Sequence, residues 1–389
     1  MKKRIKIAYI PLLLLLVILL QQACTYNHLP ESAKTILLNW YPAPANQSKV
    51  EFTTGLVWLF SYLGATVPKD KFSEAIIFGS SNRIEVNIEA LGFSSNAVKV
   101  LEKLIAIIKQ TEEYKITGGI DAGRFFALCF NSTYQYYQIT TASKTYNEFS
   151  LQYANFAFKT FVCDSSAISP FSRIFHYTIS ETNIQKNCFV SEEGTGRYTN
   201  GNFVKSGFIE AFDYMENGQP RFVIYDTNGM LYVPKNSSEH PAGKPSKCMW
   251  CHESGMQPLF TSTTNIQGFV STSDFLNDQK IFTSNLENFH TKSSSVLNFK
   301  DKKAHNQAEY IYLCFYEPNA ARLATEWGMT EEAVENLLSG VLKHTNPEFP
   351  FLKDVYHRYE IEKFAPYKSI EVSQDMREAS LLEPNYLQQ

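Results

Sequence analysis

Lys247-Cys248-Met249-Trp250-Cys251-His252-Glu253 places two thiols three positions apart, with an imidazole directly after the second. Three kinds of chemistry use such a set. Two thiols near the start of a short helix can each add to a vinyl group of one haem, while the adjacent His offers an axial nitrogen to the iron. The same thiols can cycle as a redox dithiol or close a structural disulfide. They can also form half of a zinc site. The surroundings separate these readings. A zinc site wants a second ligand pair at close spacing, and no other Cys-x-x-Cys occurs in the chain. A thioredoxin-like dithiol follows a strand and opens a long helix, for which Pro241, Gly243 and Pro245 give little support. The expectation is one covalent haem c, anchored through Cys248 and Cys251, with His252 as the proximal ligand.

The start of the chain fits chemistry done outside the cytoplasm. Lys2, Lys3, Arg4 and Lys6 precede an uncharged run from Ile7 to Leu20. That run is shorter than the roughly 20 apolar residues of a spanning helix, and it suits the apolar region of a secretory signal. Gln21-Gln22-Ala23-Cys24 follows. A small residue directly before a Cys at this point resembles the lipobox of bacterial lipoproteins. The resemblance implies that residues 1–23 are cleaved and that Cys24 carries a lipid. Gln21 stands where an aliphatic residue is usual, so plain secretion with Cys24 unmodified is the alternative. Loss of the signal removes four basic residues and no acids. That leaves 32 basic against 39 acidic residues, a net of −7 in place of −3. An acidic exported chain has no electrostatic reason to bind nucleic acid.

On Cys248, Cys251 and His252 the chain resembles c-type cytochromes, over about residues 240–270. Gly255-Met256-Gln257-Pro258-Leu259 is similar to a shortened form of the loop that follows the motif in many of them. The resemblance implies that the Pro258 carbonyl accepts a hydrogen bond from the proximal His and orients it. It implies a single-electron carrier on the periplasmic side of a bacterial envelope, held to the membrane (the outer one is expected) by its lipid. Its partner would be another redox protein of the envelope. The sixth iron ligand is open between Met329, His305 and none. Met256 follows His252 by four residues, on the same side, and is a poor distal ligand. Methionine favours electron transfer, whereas an open position allows peroxide or small-gas chemistry, so a haem enzyme or haem sensor is the second reading. A non-haem structural or binding lipoprotein, with Cys248–Cys251 as a disulfide, is the third.

The elements that must position these residues are expected to form an α+β fold. Hydrophobic residues at 44% and charged residues at 19% are a globular composition. A tether over residues 24–49 leads to a helical region over 50–120, where Val98, Leu101, Leu104, Ile105 and Ile108 recur at helical spacing after Ser94 or Ser95 as cap. Residues 121–235 read as β-rich and antiparallel. Tyr134, Tyr136 and Tyr137 sit in a β-prone run there, and Ile174 to Ile179 is a strand. The clearest signal is a meander with Asn217-Gly218 and Asn228-Gly229 at its turns. Residues 240–389 read as a mainly helical haem region. In it, Pro318 can open a helix that stops at Gly328, and Thr330 can cap the next. The Ala321–Val334 stretch is similar to a helix-turn-helix, but Glu331, Glu332 and Glu335 would repel phosphates. Once Cys24, Cys248 and Cys251 are assigned, Cys129, Cys163, Cys188 and Cys314 remain. Cys163–Cys188 and Cys129–Cys314 are the expected bridges in an oxidising envelope, with Cys314 as a buried thiol the alternative.

Overall fold

The computed structural model describes residues 33–42, 47–79, 82–131, 133–166, 169–232, 244–255, 260–263, 265–378 and 384–387. The signal, Cys24, Met256 and Pro258 lie outside them. The described chain is a mixed α/β structure with sheets centrally and helices toward its C-terminus.

Two expectations are corrected here: the region over 50–120 is not wholly helical, and the tether expected over 24–49 contains a strand with buried Ile36 and Leu38. Four short strands, β1 (Thr35–Asn39), β2 (Ile76–Phe78), β3 (Arg83–Asn87) and β4 (Ile120–Asp121), form a sheet in the order β2-β3-β1-β4. Ile36 pairs with Val86 and Leu38 with Ile84, so one face is fully buried while Arg83 and Glu85 point to water. Strands of two to five residues carry too little periodicity to read from sequence. The helices beside them form as expected. α1 (Lys49–Tyr62) starts at a Ser48/Glu51 capping box, and α2 (Ser95–Lys109) is capped by Ser94 and buries Leu101, Leu104, Ile105 and Ile108. A Gly is required in α1. A Cβ on Gly55 would lie 2.6 Å from the carbonyl carbon of Gln307 and collide with its oxygen.

Residues 121–151 are helical too, in α3 (Ala122–Asn131), α4 (Thr133–Ile139) and α5 (Tyr146–Leu151). The aromatic run at 134–137 is therefore helix rather than strand. Its use explains its composition. The main sheet has the order β9-β8-β7-β6-β5, with β5 (Lys159–Cys163), β6 (Arg173–Thr178), β7 (Cys188–Thr195), β8 (Val204–Tyr214) and β9 (Pro220–Tyr225), all antiparallel. β9 is an edge strand, whose outward N–H groups need partners. The N–H groups of Phe222 and Ile224 donate to the hydroxyls of Tyr136 and Tyr137 at 3.2 and 3.1 Å. α4 thus closes the edge with tyrosine hydroxyls. The β8–β9 hairpin turns at Gly218, whose φ of 81° only glycine adopts without strain.

The two faces of this sheet take different helices. On one, Phe149 packs on Tyr225 and the Tyr153 hydroxyl donates to Asp213 Oδ2 at 2.9 Å. The other presents an aromatic ladder in register, Tyr177, Phe189, Phe212 and Phe222, one ring from each of β6 to β9. α6 (Thr272–Lys292) crosses that ladder with Phe275 and Phe282. Further on come α7 (Ala304–Tyr316), α8 (Ala320–Trp327) and α9 (Glu331–Leu337). Asn319, rather than Pro318, caps α8; Gly328 ends it in the left-handed conformation; Thr330 caps α9. Leu323, Trp327, Val334 and Leu338 form a small second core there. Arg322 is buried, and binds Asp121 at 2.5 Å and also Glu326, which in turn holds Arg358 at 2.7 Å. The helix pair is packed and ion-paired into the body, which accounts for its helix-turn-helix look.

The expected Cys163–Cys188 bridge is contradicted. Cys163 pairs with Arg173 and Cys188 with Thr178, at opposite ends of β6. Five residues of strand separate those levels, about 16 Å, far beyond disulfide reach. Cys129 and Cys314 are both buried thiols, and neither is in a disulfide.

Candidate haem-attachment site

The motif occupies one helix, Pro245–His252, inserted between the meander and α6. Pro245 opens it, a position that needs no N–H donor. Its start is clamped by the chain's C-terminal segment. The Lys244 ammonium is fully buried and donates to Ser373 Oγ and the Asp375 carbonyl, both at 2.9 Å, and the Ser246 hydroxyl donates to the Met376 carbonyl. Arg377 lies over the Trp250 ring, its Cζ 3.1 Å from the ring centre. The helix stops at Glu253, whose φ is 50°. A strap from residues 373–377 therefore holds a motif more than a hundred residues earlier in sequence.

At 100° per residue, Cys251 and His252 fall about 60° and 40° to either side of Cys248, so the three share an arc of about 100° on the helix. His252 faces the sheet. Its ring lies 5.8 Å from Phe212 and 5.7 Å from Phe222, the directly opposed pair of β8 and β9. Burial against these rings lowers the His252 pKa to about 4, so the imidazole is neutral at pH 7, the form that ligates a metal. Its buried Nδ1 has no hydrogen-bond partner among the described residues. Glu210, two residues from Phe212 on the same face, partly opposes that lowering, and Arg173 adds to it. Burial raises the thiol pKa of Cys248 well above its usual value and raises that of Cys251, so both are protonated thiols at neutral pH.

The donor set fits a covalently held haem. It offers two thiols on one side of a helix, a neutral imidazole beside them, and an orphaned ring nitrogen suited to an acceptor beyond residue 255. Pro258, expected to supply that acceptor, lies outside the described residues.

Neither nominated distal ligand is presented to this site. Met329 is 38% exposed, in the turn between α8 and α9. His305 is buried close by, its ring 6.1 Å from Trp250, and its Nδ1 is committed. Nδ1 meets the Tyr62 hydroxyl at 2.8 Å, and Nε2 lies 3.0 Å from Glu309 Oε1. Sequence reading missed the Phe212–Phe222 floor and the Tyr62–His305–Glu309 chain. The first was accessible from the meander register. The second left a trace in His305 and Glu309 at helical i, i+4 spacing just before the apolar run Ile311 to Tyr316. Comparison with family models, curated proteins and solved structures finds no match for this chain.

Proposed function

We propose that the chain is a monohaem c-type cytochrome of a bacterial envelope, lipid-anchored through Cys24, that moves single electrons between envelope proteins. The observation that carries this is the presentation of Cys248, Cys251 and a neutral, half-buried His252 on one helix against an aromatic floor. Attachment adds each S–H across a vinyl group, forming one C–S bond and moving the thiol hydrogen to the neighbouring carbon. Protonated thiols at Cys248 and Cys251 are the reactants this needs. His252 would supply the proximal nitrogen, with Phe212 and Phe222 excluding water from its ring face. The bound group supplies one-electron redox chemistry, and the protein's part is orientation and dielectric.

A second reading, a haem enzyme or sensor with an open sixth position, is favoured by the placement of Met329 and His305. The optical spectrum of the reduced protein decides between them. A low-spin six-coordinate spectrum unchanged by CO supports the carrier, a high-spin spectrum that shifts with CO supports the second, and no haem band refutes both.

A further inference from the structure

Behind the motif helix lies a buried polar chain that neither attachment nor ligation of a haem uses. Trp58 Nε1 donates to the Tyr62 hydroxyl at 3.0 Å. Indole N–H can only donate, so the phenol's own proton is left for His305 Nδ1, 2.8 Å away. That fixes the His305 tautomer, with Nδ1 accepting and the hydrogen on Nε2, which lies 3.0 Å from Glu309 Oε1 but out of line for a hydrogen bond. Trp58, Tyr62, His305 and Glu309 are all buried. Phenol and imidazole thus form a proton donor–acceptor pair within transfer distance, with the Glu309 carboxylate 3.0 Å beyond the imidazole. Burying three such groups costs desolvation that a purely apolar ring packed in the place of the phenol would not incur.

The chain also sits where electrons would pass. Trp250 lies between the two motif cysteines in sequence, and its ring is 6.1 Å from that of His305. The Arg377 guanidinium on Trp250 disfavours a positive charge on that indole. Tyr62 has no such obstacle, because its positive charge leaves with its proton.

We propose that Tyr62 is a redox-active tyrosine, with His305 as its proton acceptor and Glu309 behind it, that delivers one electron through Trp250 to the prosthetic group at Cys248, Cys251 and His252. The proposal rests on the haem reading of that motif in its second form, with an open sixth position. The co-reactant is a peroxide. Hydrogen peroxide takes two electrons and two solvent protons and leaves as two waters. Tyr62 would supply one of those electrons, and the group held by Cys248, Cys251 and His252 would supply the other. The Tyr62 O–H bond breaks, its proton forms a bond to His305 Nδ1, and a neutral phenoxyl radical remains beside an imidazolium paired with Glu309. Two electrons from the envelope partner would restore the starting state, one to the group held at the motif and one to Tyr62, which takes its proton back from Nδ1.

Full-length ferric holoprotein, mixed with hydrogen peroxide and frozen, tests this by electron paramagnetic resonance. The expected result is a protein radical whose line narrows with ring-deuterated tyrosine and which is lost in Tyr62→Phe. His305→Gln should lower its yield. A radical of the same shape in Tyr62→Phe, or no tyrosine radical in wild-type protein that carries haem, overturns the proposal. If Tyr62→Phe does not fold, the deuterium narrowing together with the His305→Gln yield decides. Should the purified chain carry no covalent haem, the reading of the motif fails first. Flash oxidation by a ruthenium(III) polypyridyl then decides the tyrosine separately. A transient phenoxyl absorption lost in Tyr62→Phe supports its role, and identical transients in both proteins overturn it.

Discussion

Burial of His252 against Phe212 and Phe222 makes a prediction about the apoprotein's stability. An unfolded His titrates near 6.5, and the folded His252 near 4. Between those values the unfolded chain binds a proton that the folded chain refuses, so stability rises with pH. The contribution is intact above about pH 6.5 and is lost as the pH falls toward 4. Two and a half pH units correspond to about 3 kcal/mol, and solvent at the exposed edge of the ring trims this toward about 2 kcal/mol. The perturbation is His252→Gln, which keeps a neutral polar side chain and cannot take the proton. Urea unfolding of wild-type and variant apoprotein at pH 7, 6, 5 and 4 measures it. Acid effects from carboxylates and from His290, also lowered to about 4 by burial, are common to both proteins and cancel in the comparison. The wild type should lose about 2–3 kcal/mol more than the variant on acidification. Equal losses would mean that His252 is not shielded as described, and the argument for a neutral ligand would fall with it.

Replacing Arg322 with Met should cost about 3–5 kcal/mol, because it strands the buried Asp121 carboxylate and leaves Glu326 with Arg358 alone; an unchanged urea midpoint contradicts this. Gly55→Ala should destabilise by about 1–3 kcal/mol, read from the same melts, since the added methyl meets the Gln307 backbone. That reverses the usual gain of about 1 kcal/mol for Ala over Gly inside a helix. Met329→Ala should leave the optical spectrum of the haem-loaded protein unchanged, because the side chain is exposed in the turn between α8 and α9; loss of a six-coordinate spectrum would restore Met329 as the distal ligand.

Part of this was legible in the sequence because the signals were local. The meander declared itself through Asn-Gly turns, the helices at 95–109 and 320–337 through their caps, and the motif through a fixed spacing of reactive groups. The rest depended on contacts between distant residues. Tyr136 and Tyr137 have strand-forming side chains, yet they sit on a helix because their hydroxyls satisfy the β9 edge. The short strands β1 to β4 are defined by pairing between residues far apart in the chain, as between Leu38 and Ile120. The cysteine pairing failed for a related reason. Closeness in sequence suggested a bridge between Cys163 and Cys188, but the register puts them at opposite ends of a strand. Nothing near residue 247 hints that residues 373–377 strap its helix.

The central claim is that Cys248 and Cys251 hold one haem. Its most direct test is the pyridine haemochrome of protein expressed with its signal in a host that matures c-type cytochromes, measured after acid-acetone extraction of free haem. The account predicts one haem per chain resisting extraction, and its loss from the chain in the Cys248→Ala/Cys251→Ala double variant. A wild-type protein with no extraction-resistant haem, or a double variant that keeps it, would contradict the account.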